Sequence, residues 1–126
     1  MMLEQSEIKK AMQQYIDHFN DNELDLLVGL FADQASLEDP VGSIPIEGLD
    51  PIRQFYTKVV NGDTKIKLTN PICGSNSHSG AMAIEIETNV KGRSAVIRAI
   101  EVMSFDEFGK ITKLQVYWGK EDMDFS

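Results

Sequence analysis

The fold class is decided by the stretch Ala81-Met82-Ala83-Ile84-Glu85-Ile86-Glu87-Thr88-Asn89-Val90-Lys91-Gly92-Arg93-Ser94-Ala95-Val96-Ile97-Arg98-Ala99-Ile100-Glu101-Val102-Met103-Ser104-Phe105. Its apolar residues recur every second position, the period at which a strand turns successive side chains to opposite faces. Lys91-Gly92 interrupts the pattern with two residues, one of them free to adopt positive φ, which reads as a tight hairpin. Two strands, Ala81 to Val90 and Arg93 to Phe105, are therefore expected to lie antiparallel.

Working outward, Thr64 to Ile72 and Lys110 to Trp118 also read as strands. Phe105-Asp106-Glu107-Phe108-Gly109-Lys110 supplies the turn before the last of them. N-terminal to Asn61-Gly62-Asp63 the period lengthens to that of a helix. Ile8, Ala11, Met12, Tyr15, Ile16 and Phe19 form one apolar face, with Ser6 as a candidate cap. Leu24, Leu27, Val28 and Phe31 form a second. Ile52, Phe55, Tyr56 and Val59 form a third behind Asp50-Pro51, a cap residue followed by a proline suited to the first turn. Between the second and third helices, Leu37 to Asp39 is a short extended piece, and Pro40 keeps Asp39 out of the helical region. Helices first and consecutive strands after them indicate an α+β fold. Three N-terminal helices are expected to pack on a curved antiparallel sheet, making a cone around one apolar pocket.

At 126 residues the chain is expected to form a single domain, 1–126, large enough to bury a core without staples. Hydrophobic residues make up 42% and charged residues 25%, a globular composition that argues against disorder and coiled coil. The net charge of −8 repels phosphate backbones, and the basic stretches Lys65-Ile66-Lys67 and Lys91-Gly92-Arg93 are too thin to oppose it. A nucleic-acid function is disfavoured, and a neutral apolar small molecule is the least constrained partner. No apolar run approaches the roughly 18 residues of a membrane span. Met1 to Lys10 is polar and lacks the core of a secretory leader. The single cysteine, Cys73, has no internal partner, and no Cys/His cluster suggests zinc. A cytoplasmic protein is expected.

The candidate chemistry lies in isolated residues. Glu101 shares a strand face with Ala95, Ile97, Ala99, Met103 and Phe105. If that face lines the pocket, burial raises the carboxyl pKa and leaves a neutral acid able to donate a hydrogen bond. The alternative is that Glu101 pairs with a distant cation. Asp39 sits where a strand meets a loop, the position at which catalytic groups concentrate, although a solvated turn aspartate also fits. Tyr15 lies on the apolar face of the first helix, where its hydroxyl needs a partner. His18 and His78 are single and far apart, and Glu85 and Glu87 fit a solvated strand face.

In combination these residues are recognisable. The chain resembles the ketosteroid isomerases (steroid Δ5-isomerases) of the nuclear-transport-factor-2-like, SnoaL-like superfamily, from about Gln5 to about Lys120. The stretch Leu30-Phe31-Ala32-Asp33 through Glu38-Asp39-Pro40-Val41-Gly42-Ser43 carries the likeness, followed at the family's spacing by Ile52-Arg53-Gln54-Phe55-Tyr56. The resemblance implies the cone-shaped fold, Asp39 as catalytic base, and Tyr15 and Glu101 as the two donors of an oxyanion hole. It implies proton transfer through a dienolate, moving the double bond of a 3-keto-Δ5-steroid, with no metal or cofactor. Tyr56 matches a further tyrosine of some members, and Trp118 an aromatic lining position. Phe55 and Met103 join them as expected substrate contacts. Two departures stand out. Glu101 replaces the family's aspartic acid and is one methylene longer, and Phe31 occupies a position where some members carry another tyrosine. The family also implies a homodimer through the sheet. Alternatives are a polyketide cyclase or dehydratase of related build, and a non-catalytic module that binds an apolar ligand.

Overall fold

A computed structural model describes residues 3–126 of the chain. Helix α1 (Gln5–Asn20) buries Ile8, Met12, Tyr15, Ile16 and Phe19, the stripe the spacing predicts. It starts just before Ser6. Glu4 is the cap residue, and its backbone N–H donates to Glu7 Oε1 at 3.0 Å, satisfying a donor the helix leaves free. Helix α2 is only Leu24–Val28 and stops at Gly29. Phe31, which helical spacing assigns to this helix, instead opens strand β1 (Phe31–Glu38). The Leu30 carbonyl accepts the Ile111 N–H at 2.9 Å, so sheet pairing claims the chain before another helical turn can form.

Strand β1 is thus longer than the extended piece Leu37 to Asp39. The two-residue β2 (Ile46–Glu47) pairs antiparallel with it, and helix α3 (Leu49–Val59) follows. Gly48, at φ 93°, is its cap residue, which puts Asp50 and Pro51 two positions further into the first turn than expected. Strands β3 (Lys65–Leu68), β4 (Ser79–Val90), β5 (Arg93–Phe105) and β6 (Ile111–Tyr117) complete the main sheet. β3 ends before the predicted Ile72, where Pro71 has no N–H to give to a ladder. Lys91 and Gly92 both have positive φ, 52° and 81°, as a two-residue type I′ hairpin requires.

The sheet order is β2-β1-β6-β5-β4-β3. One pair departs from the antiparallel expectation: β1 runs parallel to β6, and all other pairs are antiparallel. The chain leaves β1 through β2 and α3 and returns only after β3, β4 and β5, a long connection of the kind a parallel neighbour needs. Beyond β6 a single helical turn, Lys120–Asp122, leads into β7 (Met123–Phe125). β7 pairs with the first half of β5, whereas β6 pairs with its second half. Arg98, on the outer face, ties this segment down through Asp124 and through the Glu121 carbonyl at 3.1 Å.

Along β5 the buried residues are Ala95, Ile97, Ala99, Glu101, Met103 and Phe105, and the alternate side chains face outward. The helices cover the inner face, and their apolar stripes meet Met82, Ile84, Met103, Leu114 and Val116 in one core. Outside, Lys65 and Lys67 sit opposite Glu87 and Glu85 across β3 and β4, which accounts for the two acids as a charged strand face.

Candidate active site

A cavity of about 160 Å³ lies between the helices and the concave face of the sheet. Tyr15 and Phe19 reach it from α1; Phe55, Tyr56 and Val59 from α3; Ile86 and Thr88 from β4; and Ile97 and Glu101 from β5. Asp39 and Trp118, each one residue past the end of its strand, complete one end, and Thr64 and Ile66 line it beside β4. Asp39, Tyr15, Glu101, Tyr56, Trp118 and Phe55 are therefore brought to one space. Met103 is not: it lies on the same strand face but is fully buried in the core, outside the lining. A wider, open depression of about 760 Å³ on the outer sheet face is lined by Glu85, Arg98, Ile100 and Tyr117, and it contains none of Asp39, Tyr15 and Glu101.

Glu101 is 2% exposed and lines the cavity from the buried, otherwise apolar face of β5. Its Oε1 is buried without a hydrogen-bond partner, and no cation pairs with it among the described residues. Burial first, and the negative charge of Asp39 second, push its pKa up to about 8. The carboxyl therefore holds its proton at neutral pH. That makes it a donor in a place where an unmade hydrogen bond is costly.

Asp39 is half-buried, and burial raises its pKa from the ordinary aspartate value. The Trp118 indole N–H donates to Asp39 Oδ1 at 2.9 Å and opposes that rise by favouring the carboxylate. The contact follows from the end of β6: Tyr117 is its last residue, so Trp118 leaves the ladder where β1 also ends. Sequence reading assigns Trp118 to the pocket lining. Its grip on Asp39 is a role that only the register of β1 against β6 reveals.

The Tyr15 and Tyr56 hydroxyls lie 2.8 Å apart, and either can donate to the other. Their rings meet edge to face at 6.1 Å, and Phe55 and Phe31 pack on Tyr56 at 5.2 and 5.8 Å between centroids. Both tyrosines are pushed well above their usual pKa, chiefly by burial and next by Glu101, so both remain protonated donors. With Tyr56 donating to Tyr15, the Tyr15 proton is free to point at a ligand. Phe31 adds ring surface where a third hydroxyl is missing, so the chain of tyrosines has two members.

Chemically, the cavity joins one carboxylate, one neutral carboxylic acid and a hydrogen-bonded pair of phenols in an apolar enclosure. A base and two hydrogen-bond donors, held apart and shielded from water, can take a proton from one atom of a ligand while stabilising negative charge on an oxygen of the same ligand. No group of three or more His, Cys, Asp or Glu arranged to hold a metal ion occurs among the described residues. No helix among them is long and apolar enough to cross a membrane.

Comparison with known proteins gives the family and the fold. Residues 12–114 match the SnoaL-like domain. A curated relative, the steroid Delta-isomerase of Nocardioides simplex, is 28% identical over 120 residues, 94% of each chain. Among solved structures, the chain is similar to the epoxide hydrolase/cyclase-like enzyme SalBIII, which has a role in pyran ring formation in the polyether salinomycin. The TM-score is 0.89 at 25% identity, covering 96% of this chain and 97% of the other.

Proposed function

The chain belongs to the SnoaL-like domain family, and we propose that within it the protein is an acid–base isomerase that moves a C=C double bond in a 3-keto-Δ5-steroid or a similar apolar ketone. The observation that carries the reading is the convergence of Asp39, Tyr15 and a protonated Glu101 on one cavity. In this reading the Asp39 carboxylate removes the proton on the carbon between the ketone and the double bond. The electron pair moves toward the ketone oxygen, and the resulting dienolate is held by the Tyr15 hydroxyl and the Glu101 acid. Asp39 then returns the same proton two carbons along, which restores the carboxylate and leaves the conjugated ketone. Both donors are fixed before reaction in a water-poor site, where such groups act most strongly. The 28% identity to a steroid Delta-isomerase supports the substrate class.

The test is the rise in ultraviolet absorbance when a Δ5-3-ketosteroid becomes conjugated. Turnover is expected with the unaltered chain and is lost in Asp39→Asn, whose near-isosteric amide cannot accept the proton. Binding of a planar phenolic steroid survives that change. Turnover by Asp39→Asn equal to that of the unaltered chain overturns the assignment. Phenol binding without any turnover points to a binding module instead.

A second reading keeps the same groups and changes the substrate. Glu101, one methylene longer than the isomerase residue, and the likeness to SalBIII both favour a cyclase acting on an epoxide or a related electrophile. There Asp39 takes the proton of an attacking hydroxyl, a C–O bond forms as the epoxide C–O bond breaks, and Glu101 gives its proton to the leaving oxygen. We further propose a cytoplasmic homodimer through the outer sheet face, where Ile100 and Tyr117 are exposed. Light scattering on the eluting protein tests its mass.

A further inference from the structure

The far end of the cavity carries a pair of groups that the proposed chemistry does not use. Thr64 Oγ1 and Thr88 Oγ1 lie 2.7 Å apart, and both residues line the cavity. Thr64 is 7% exposed. Each hydroxyl has one proton and two lone pairs, and their mutual bond uses one proton and one lone pair. The second proton has no other partner among the described residues.

The sheet register gives the distance from the acid end. Glu101 pairs with Met82, and Thr88 pairs with Ala95. The two levels are six residues apart along β4 and β5, about 20 Å of strand, and less in a straight line because the sheet curves. The wall between them is apolar, formed by Ile97, Ile86, Ile66 and Val59. The cavity is therefore polar at two ends and greasy between them.

We infer that the Thr64–Thr88 hydroxyl pair is a second polar subsite, which recognises a hydroxyl or ketone oxygen at the far end of an elongated apolar substrate. The inference rests on the isomerase reading for the end that holds Tyr15 and Glu101. It adds that the substrate is oxygenated at both ends. A ketone accepts the free O–H; an alcohol donates to either threonine oxygen. A threonine pair across two strands also steadies a sheet, so the test needs a readout that sheet stability does not move.

The probes are estradiol, a phenol with an alcohol at the opposite end, and its counterpart lacking that alcohol. The phenol oxygen takes the dienolate position beside Tyr15 and Glu101. Calorimetry on the full chain is expected to give estradiol about a five- to tenfold lower Kd than the counterpart, the usual worth of one net hydrogen bond. The double variant Thr64→Val/Thr88→Val keeps the β-branched shape and removes both hydroxyls together, which leaves no orphaned partner. It is expected to erase the preference while binding the counterpart within about twofold of the unaltered chain. Thr64→Ser/Thr88→Ser keeps the hydroxyls and the preference, which guards against a misfolded valine variant. Equal binding of the two probes by the unaltered chain, or a preference untouched in the valine variant, overturns the subsite alone. Tyr15→Phe weakens both probes alike if the isomerase reading of the other end holds. Failure of the unaltered chain to bind either phenol overturns that reading and the subsite with it.

Discussion

Replacing Glu101 by Gln should change how stability depends on pH. In the folded chain the carboxyl pKa is raised from 4.5 to about 8; unfolding returns it to water and to its ordinary value. Between those two values the folded state binds more protons than the unfolded one, so stability falls as pH rises. The contribution is fully present below pH 4.5 and is lost as pH rises through about 8. At 1.36 kcal/mol per unit, integrating from pH 5 to pH 9 gives a loss of about 4 kcal/mol. That is a large part of the roughly 5–15 kcal/mol that holds a domain folded. Gln has the same size and no proton to lose, so Glu101→Gln should lack this slope, while Asp39 contributes similarly to both proteins. Urea unfolding at a series of pH values reads the difference between the two curves. They should diverge progressively between pH 5 and pH 9, with the unaltered chain falling faster. Parallel curves would mean that Glu101 ionises in the folded protein near its ordinary value, and the donor role would fall with them.

Trp118→Phe keeps the ring and removes the N–H that favours the Asp39 carboxylate, so the Asp39 pKa should rise further and the acid limb of the kcat/KM profile should move to higher pH; an unmoved limb would show that the bond is unimportant to the base. Tyr56→Phe removes the hydroxyl 2.8 Å from that of Tyr15 and should lower kcat about five- to tenfold with little change in KM, since it supports charge only as it develops; a pure KM effect would contradict this. Glu101→Asp draws the carboxyl back by about 1.5 Å and should lower ketosteroid turnover on the order of a hundredfold. A sharp rise instead would mean that the longer acid is shaped for another substrate and would favour the cyclase reading.

Much of this architecture is local enough to be legible in the chain. The alternation along Ala95 to Phe105 puts Glu101 on the apolar face because a strand has a period of two whatever surrounds it. Lys91-Gly92 makes the hairpin because its backbone needs positive φ at both positions. The stripe Ile8, Met12, Tyr15, Ile16, Phe19 buries Tyr15 for the same kind of reason, with a helical period. Asp39 was legible differently: the string Glu38-Asp39-Pro40-Val41-Gly42-Ser43 resembles a known family, whereas its local pattern also suits a solvated turn.

Tertiary structure decided what depends on residues far apart in the chain. Phe31 fits the α2 stripe by spacing, but its pairing with Ile111 made it a strand residue. Met103 has the same periodicity as Glu101, yet it is closed into the core, and the cavity lies nearer the start of β5, at Ile97 and Glu101. Trp118 meets Asp39 across 79 residues, Tyr15 meets Tyr56 across 41, and Thr64 meets Thr88 across 24. Such contacts depend on strand register and helix packing, which no periodicity within one segment encodes. The protonation of Glu101 belongs with them. Its sequence neighbours supply the apolar row, but the pKa near 8 comes from the helices that exclude water and from Asp39, brought to the same cavity from the end of β1.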